Sequence, residues 1–244
     1  MNIHLYTFCY NEEFIIPYFL RHYLPIVSKI IVFDNYSTDK SVDLLQQHQK
    51  VFVKKIDTGD KFRDDVKREL TNNAWKRSKG HADYVIVLDI DEFLYHPNFL
   101  EELVRLKQTG YTVIRPIGYD MITADLPATT GQIYDQVKEG MRNREWDKMA
   151  LFDPNKIEEI NFSPGAHWCL PEGYVKALKR DHDFKLLHFR YLGFDYVLDK
   201  HKKRAARLSD INLKNNWGYH YLFDDERQRK IFDEVYKHRQ KIVP

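Results

Sequence analysis

The first 117 residues alternate short apolar, β-rich runs with segments of helical period, and few folds accommodate that alternation. The runs at 3–9, 29–33 (KIIVF), 51–56 (VFVKKI), 84–90 and 111–117 read as strands. Within 12–24, Phe14, Ile15, Tyr18, Phe19 and His22/Tyr23 recur at helical spacing, and Pro17 falls in the opening turns, where proline is tolerated. Ser37 or Thr38 can cap a second helix, SVDLLQQH, with Asp39 favourable in its first turn. A third helical segment spans 62–79 and stops at Gly80; a fourth spans 97–107, opened by Pro97 and closed near Gly110. Strand–helix alternation of this kind calls for parallel strands joined by right-handed crossovers. IIVF and YVIVL are apolar on both faces, as strands between two helix layers must be. The expected fold class is therefore α/β, with a mostly parallel central sheet and helices on both faces. Ligands of such open sheets bind beyond the carboxyl ends of the strands. The residues leaving those ends are Tyr10-Asn11-Glu12, Asp34-Asn35, Asp57 and Asp89-Ile90-Asp91-Glu92, which are acidic or amide-bearing at each strand.

The second half is less regular. Residues 120–145 form a long excursion without a clean period, 148–152 and 184–189 look like further strands, and 194–208 is a basic helical stretch. The chain thus divides into 1–118, 119–193 and a C-terminal helical segment at 194–244. Lysine plus arginine number 38 against 36 acids, a balance that gives no argument for nucleic acid as a partner. Cys9 and Cys169 stand far apart and outside any CxxC pattern, so neither a disulfide framework nor a zinc site is expected. The start, MNIHLYTFCYNEE, lacks the basic and apolar regions of a signal peptide, and no apolar run is long enough to span a bilayer. A cytoplasmic location is the default expectation.

Asp89 and Asp91 are two residues apart, so on an extended backbone both carboxylates point to one side. Their mutual repulsion is relieved by a divalent cation, and sparse oxygen ligands suit Mg²⁺ or Mn²⁺. The competing reading is a solvated acidic turn that caps the next helix; a DxD tripeptide alone favours it.

Three segments change that balance. Tyr10-Asn11-Glu12 after the first strand resembles a "YNE" opening. Residues 31–39 (IVFDNYSTD) resemble a "VVD(D/N)xSTD" segment, and 83–94 (DYVIVLDIDEFL) a "DWVxxxDxDEFL" segment. Together, in this order, they resemble the nucleotide-sugar glycosyltransferases of the GT-A fold, family 2-like group. The resemblance covers roughly the first hundred residues. It implies that 1–118 is the nucleotide-sugar-binding half of a single GT-A domain and 119–193 its acceptor-side half. It implies that Asp91 binds a metal directly and that Asp89 contacts the ribose or the metal. Tyr10, Asn11, Glu12, Asp34 and Asn35 would hold base and ribose. Asn35 stands where many members have aspartate; it can donate as well as accept. An arginine on the helix before the fourth strand often reaches the nucleotide, which makes Arg68, ahead of Arg63, the expected residue. His188, in LLHFR, would complete the metal site, and His167, after a Pro-Gly turn, would serve the acceptor side.

Inverting members need a general base. The carboxylates available downstream are Asp147, taken first, then Asp120, with Glu145 beside them. Glu92 and Lys148 would support the acceptor or donor site. Lys200, His201, Lys202, Lys203, Arg204 and Arg207 form either a solvated helix face, a cover over the diphosphate, or a contact with anionic lipid at the inner face of the membrane. The implied activity is metal-dependent transfer of a sugar, from a UDP-sugar as favoured donor, to a glycan or lipid-linked hydroxyl with inversion, as in bacterial surface-polysaccharide assembly. Nucleotidyltransferases and metal-dependent phosphohydrolases also group carboxylates at strand ends. The former, though, usually carry a Gly-rich loop after the first strand, and 7–13 contains no glycine. A non-catalytic carbohydrate- or protein-binding domain on the same fold is the third reading.

Overall fold

The computed structural model describes residues 1–178 and 183–244. The expected strands and helices form in order, with one further strand, β5, that the sequence reading did not anticipate: β1 Ile3–Cys9, α1 Ile16–Tyr23, β2 Lys29–Asp34, α2 Ser41–Gln46, β3 Val51–Lys55, α3 Asp64–Asn73, β4 Tyr84–Val87, β5 Glu92–Tyr95 and α4 Phe99–Gln108. There follow β6 Val113–Ile114, β7 Ile117–Thr123, α5 Ile133–Gln136, β8 Glu139–Arg142, β9 Leu151–Phe152, β10 Ile157–Glu159, β11 Glu172–Gly173 and β12 Lys185–Leu192. The chain closes with α6 Phe194–Ala206, α7 Asp210–Lys214, α8 Asp225–Lys237 and β13 Gln240–Lys241.

The first sheet has the order β3-β2-β1-β4-β9-β6. β1, β2, β3 and β4 are parallel, and β9 joins β4 antiparallel. Side chains alternate between two helix layers, as a pleated strand requires. Ile3, Leu5, Ile30, Val32, Tyr84 and Ile86 belong to one core with Leu20 of α1, Leu45 of α2 and Leu103 of α4. Tyr6, Ile31, Phe33, Val85 and Val87 belong to the other, around the fully buried Trp75 that follows α3. The parallel α/β sheet with helices on both faces is therefore as expected.

Two departures matter for the site. The fourth strand ends at Val87 rather than continuing through 90. The Leu88 amide still donates to the Tyr6 carbonyl (3.2 Å), but the Glu92 amide then closes a turn on the Asp89 carbonyl (3.0 Å). Asp89 and Asp91 are thus set by a turn and not by a continuing strand. The fifth strand expected at 111–117 splits into β6 and β7, because Pro116 interrupts it and the two pieces enter different sheets.

The second sheet, β13-β8-β7-β12-β5, forms the other half of the chain's framework. β12 lies between β5, antiparallel, and β7, parallel. That register sets His188 opposite both Glu92 and Asp120. An aromatic cluster anchors the junction: Phe93 meets Phe189 edge-on at 5.0 Å and also packs on Tyr23 and His22 of α1.

Gly118 shows how tightly β7 approaches the short 3₁₀ turn Arg144–Trp146. A methyl group there would stand 2.4 Å from Trp146 Cβ and 2.5 Å from its carbonyl carbon. Backbone atoms cannot move aside cheaply, so Gly118→Ala is expected to cost about 1–3 kcal/mol or more. A drop in melting temperature should accompany it in thermal denaturation. An unchanged melting temperature would show that this contact is slack.

Candidate active site

A cavity of about 580 Å³ opens at the carboxyl ends of β1, β2, β3 and β4 and is closed over by α6 and the segment 216–223. Tyr10, Glu12, Asn35, Asp89 and Asp91 line it from the sheet side; Lys200, Arg204 and Arg207 line it from the helix side. Its charges are tightly matched. Lys200 Nζ lies 2.8 Å from Glu12 Oε2 and 3.0 Å from Asp91 Oδ2. Arg204 reaches Glu12 Oε1 at 3.1 Å and the Tyr221 hydroxyl at 2.9 Å. Arg207 donates to Asn35 Oδ1 at 2.8 Å and lays its guanidinium 3.3 Å above the Tyr10 ring. Lys67 of α3 pairs with Asp89 Oδ1 at 2.6 Å.

These cations hold Asp89 and Asp91 ionised, whereas at Glu12 burial outweighs Lys200 and raises the carboxyl above its usual range. Burial pushes the Asp89 carboxyl up, but Lys67 and Lys148 more than offset that and bring it to about 2. Burial likewise opposes ionisation of Asp91, and Lys200 and His188 reverse it to well below the usual range. His188 sits between two acids, with Nε2 3.6 Å from Asp91 Oδ1 and Nδ1 3.5 Å from Asp120 Oδ1. Burial disfavours its charge, yet Asp91 and Asp120 raise its pKa to about 9, so it is an imidazolium at neutral pH. His167 also lines the cavity, tilted against Trp146 at 4.9 Å; burial, with Lys148 nearby, lowers its pKa to about 4 and keeps it neutral.

Several expected site residues stand elsewhere. Asp147 is buried outside the cavity wall, with Oδ1 accepting from the Gly118 amide (2.9 Å) and Oδ2 from Arg142 (2.7 Å). Asp120 also lies behind the wall, accepting from Trp146 Nε1 (2.7 Å) and Asn143 (2.8 Å), so it backs His188 rather than facing a ligand. Both acids are consumed by β7, β8 and the 144–146 turn, an outcome their polar sequence context did not reveal. The acid of this group that lines the cavity is Glu145. Arg68 is exposed on the outer face of α3 and absent from the wall; Lys67, on the same helix face as the buried Asp64 and Thr71, takes the inward position. Arg63 lines the cavity but is paired with Asp65 (2.5 Å). Asn11, at φ 51°, and Asp34 do not line it. Asn11 Oδ1 accepts from the Thr38 amide (2.7 Å), and Asp34 Oδ1 from the Ser37 hydroxyl (2.6 Å), so both shape the turns around it. Glu92 and Lys148 form a fully buried ion pair, and Glu92 also accepts from the Asp89 amide (3.1 Å); their role is to hold the Asp89–Asp91 turn.

The expected metal set fares differently from its sequence reading. Asp89, Asp91 and Glu12 are each engaged by an ammonium or guanidinium, and His188 lies between Asp91 and Asp120. Among the described residues no three His, Cys, Asp or Glu side chains gather closely enough to hold an ion. In this arrangement the donor set does not fit a divalent cation, because lysines from α3 and α6 already meet its charge. Lys200, Arg204 and Arg207 turn inward, while Lys202 and Lys203 pair at the surface with Asp225 and Asp199, both at 2.7 Å. No helix among the described residues is long and apolar enough to cross a membrane.

The family model described as glycosyl transferase family 2 matches residues 6–157, which include the C-terminal part of β1, all of β2 to β4, the Asp89–Asp91 turn and Glu145. The chain belongs to this family. Its sheets and helix layers are accordingly those of the GT-A fold. Among solved structures, the chain is similar to S. aureus TarS, with 12% identity, 85% of this chain and 41% of that chain covered, and a TM-score of 0.46. For TarS residues 1–349 in complex with UDP-GlcNAc the identity is 10%, the coverage 96% and 71%, and the TM-score 0.43. The chain thus spans less than half of the first of these TarS chains. No curated protein matches it.

The family 2 turn depends on His188 for part of its charge balance, and that sets a pH window. The folded-state pKa of His188 is raised from 6.5 to about 9. Its stabilising contribution is therefore complete below pH 6.5 and is lost as pH rises through 9. Denaturant unfolding of wild type and His188→Gln should show the largest stability difference at or below pH 6.5, shrinking toward pH 9 and beyond. A difference that grows with pH would contradict the imidazolium assignment.

Proposed function

We propose that this chain is a glycosyltransferase that moves a sugar from a nucleoside-diphosphate sugar, with a UDP-sugar as the favoured donor, to a hydroxyl of a glycan or lipid-linked acceptor. One observation carries the reading: a single cavity joins the Asp89–Asp91 turn, an aromatic ring and an amide, all within the family-matched residues, to a stripe of cations contributed by the later residues 200–207. A nucleotide diphosphate needs those groups together: a face for the base, polar contacts for the ribose and positive charge for the phosphates. Tyr10 and Asn35 serve base and ribose, and Asp89 the ribose hydroxyls. Lys200, Arg204 and Arg207 face the diphosphate. Surface-polysaccharide assembly is the setting in which such an acceptor is used.

The transfer is an inverting displacement. The acceptor oxygen forms a bond to the sugar C1 as the bond from C1 to the phosphate oxygen breaks. That electron pair leaves with the nucleoside diphosphate, whose new negative charge the cationic wall stabilises. The acceptor proton passes to Glu145, the cavity-lining carboxylate on the 144–146 turn. His167, neutral and beside Trp146, borders the acceptor side.

Release of nucleoside diphosphate should be followed across a panel of nucleotide sugars with mono- and oligosaccharide and lipid-linked acceptors. With the productive pair, Glu145→Gln is expected to lower kcat by about 10²–10⁴-fold while leaving nucleotide affinity unchanged. Retained kcat would remove Glu145 from the role of base. A panel without any turnover, in protein that binds no nucleotide, would overturn the transferase reading itself.

A further inference from the structure

Lys200 occupies the place between the sheet's acids that a bridging cation would take. Its Nζ lies between Glu12 Oε2 (2.8 Å) and Asp91 Oδ2 (3.0 Å), in the wall of the cavity. An ammonium carries three N–H donors; these two acids take two of them, and one is left for a ligand oxygen. Asp89, the other acid of the turn, is held by a second ammonium, Lys67, at 2.6 Å. The neighbours of Lys200 on α6 extend the same pattern. Lys200 and Arg204 lie four residues apart on one face of α6, and Arg207, the residue that caps the helix C-terminus, continues the same line, over roughly 10 Å in all. Along that line lie first Asp91, then Glu12, then Asn35 and Tyr10. A diphosphate and the adjoining ribose span a comparable length. The wall as a whole carries six lysines and arginines against five aspartates and glutamates, so it is not short of positive charge before any ion binds.

We propose that Lys200 is the fixed cation of the donor site. It bridges the Glu12–Asp91 acids to the donor diphosphate, with Arg204 and Arg207 continuing the contact, so the nucleotide binds without a divalent ion. The proposal rests on the donor reading above. An ammonium tethered to a helix does here what a bound metal does elsewhere: it links protein carboxylates to phosphate oxygens and neutralises the charge that collects on the leaving group. It also ties donor binding to α6. The helix that closes the cavity is the helix that supplies its charge, so a diphosphate entering the site holds α6 against the sheet.

Isothermal titration of the whole chain with UDP, GDP and CDP tests this, each in excess EDTA and again in Mn²⁺. The expected result is binding of one nucleotide in EDTA, with an affinity that Mn²⁺ leaves unchanged. Lys200→Ala should then lose at least about tenfold in affinity in EDTA, and Lys200→Arg should recover part of it. Circular dichroism confirms that each variant is folded. If Lys200→Ala fails to fold, Arg204→Gln replaces it, with a loss of the same sense expected. Binding that requires Mn²⁺, or affinity unaffected by the loss of Lys200, overturns this proposal and leaves the donor reading standing. Absence of binding by all three nucleotides under both conditions overturns the two together.

Discussion

The rest of the site depends on one electrostatic constraint: Glu12, Asp89 and Asp91 are gathered at the carboxyl ends of β1 and β4, with Glu12 and Asp91 buried and Asp89 half-buried beside them. Isolated buried carboxylates cost several kcal/mol each unless they are paired. The chain meets that cost from two directions, with Lys67 from α3 and with Lys200 and Arg204 from α6. A helix far along the sequence is thereby fixed to the first strand of the sheet. Lys200 reaches Glu12 across 188 residues and Arg204 across 192. The ion pairs fix the geometry of the cavity more than they stabilise the fold, since replacing a buried pair by apolar groups is often neutral.

The second sheet gives this cluster its depth. β12 runs between β5 and β7, so that His188 faces Asp91 on one side and Asp120 on the other. Asp120 is held in turn by Trp146 and Asn143, and Trp146 packs edge-on against His188 at 4.3 Å. Trp146 belongs to the same short turn as Glu145, so Asp91, His188 and the cavity-lining Glu145 are mechanically continuous. Asp147, buried and doubly bonded, fixes that turn from behind. Acids that looked interchangeable in sequence therefore divide sharply: Glu145 lines the cavity, Asp120 orients a histidine and Asp147 holds backbone.

Much of the first half was legible because its determinants are local. Strand runs such as IIVF and YVIVL, the helical spacing of 12–24, and glycines at 80 and 110 each act within a few residues. The carboxyl-end rule for parallel sheets then located Tyr10, Asn35, Asp89 and Asp91 without any knowledge of what lies opposite them. Residues 111–117 read locally as one strand; that Pro116 divides them into β6 and β7, which enter different sheets, emerges only from the sheets' assembly. Arg68 and Lys67 are adjacent in sequence, and a twist of about 100° on the helix separates the residue in solvent from the one on Asp89.

The sequence by itself determined the layered α/β architecture, the family and the acidic edge on which the cavity opens, since these follow from periodicity and from motifs contained in single segments. Only the tertiary structure decided how that edge is charged. Whether Asp91 awaits a metal or already holds an ammonium depends on which way α6 turns Lys200 and Arg204, while Asp89 is met by Lys67 of α3. That orientation is set by packing between segments nearly two hundred residues apart, which no local pattern records.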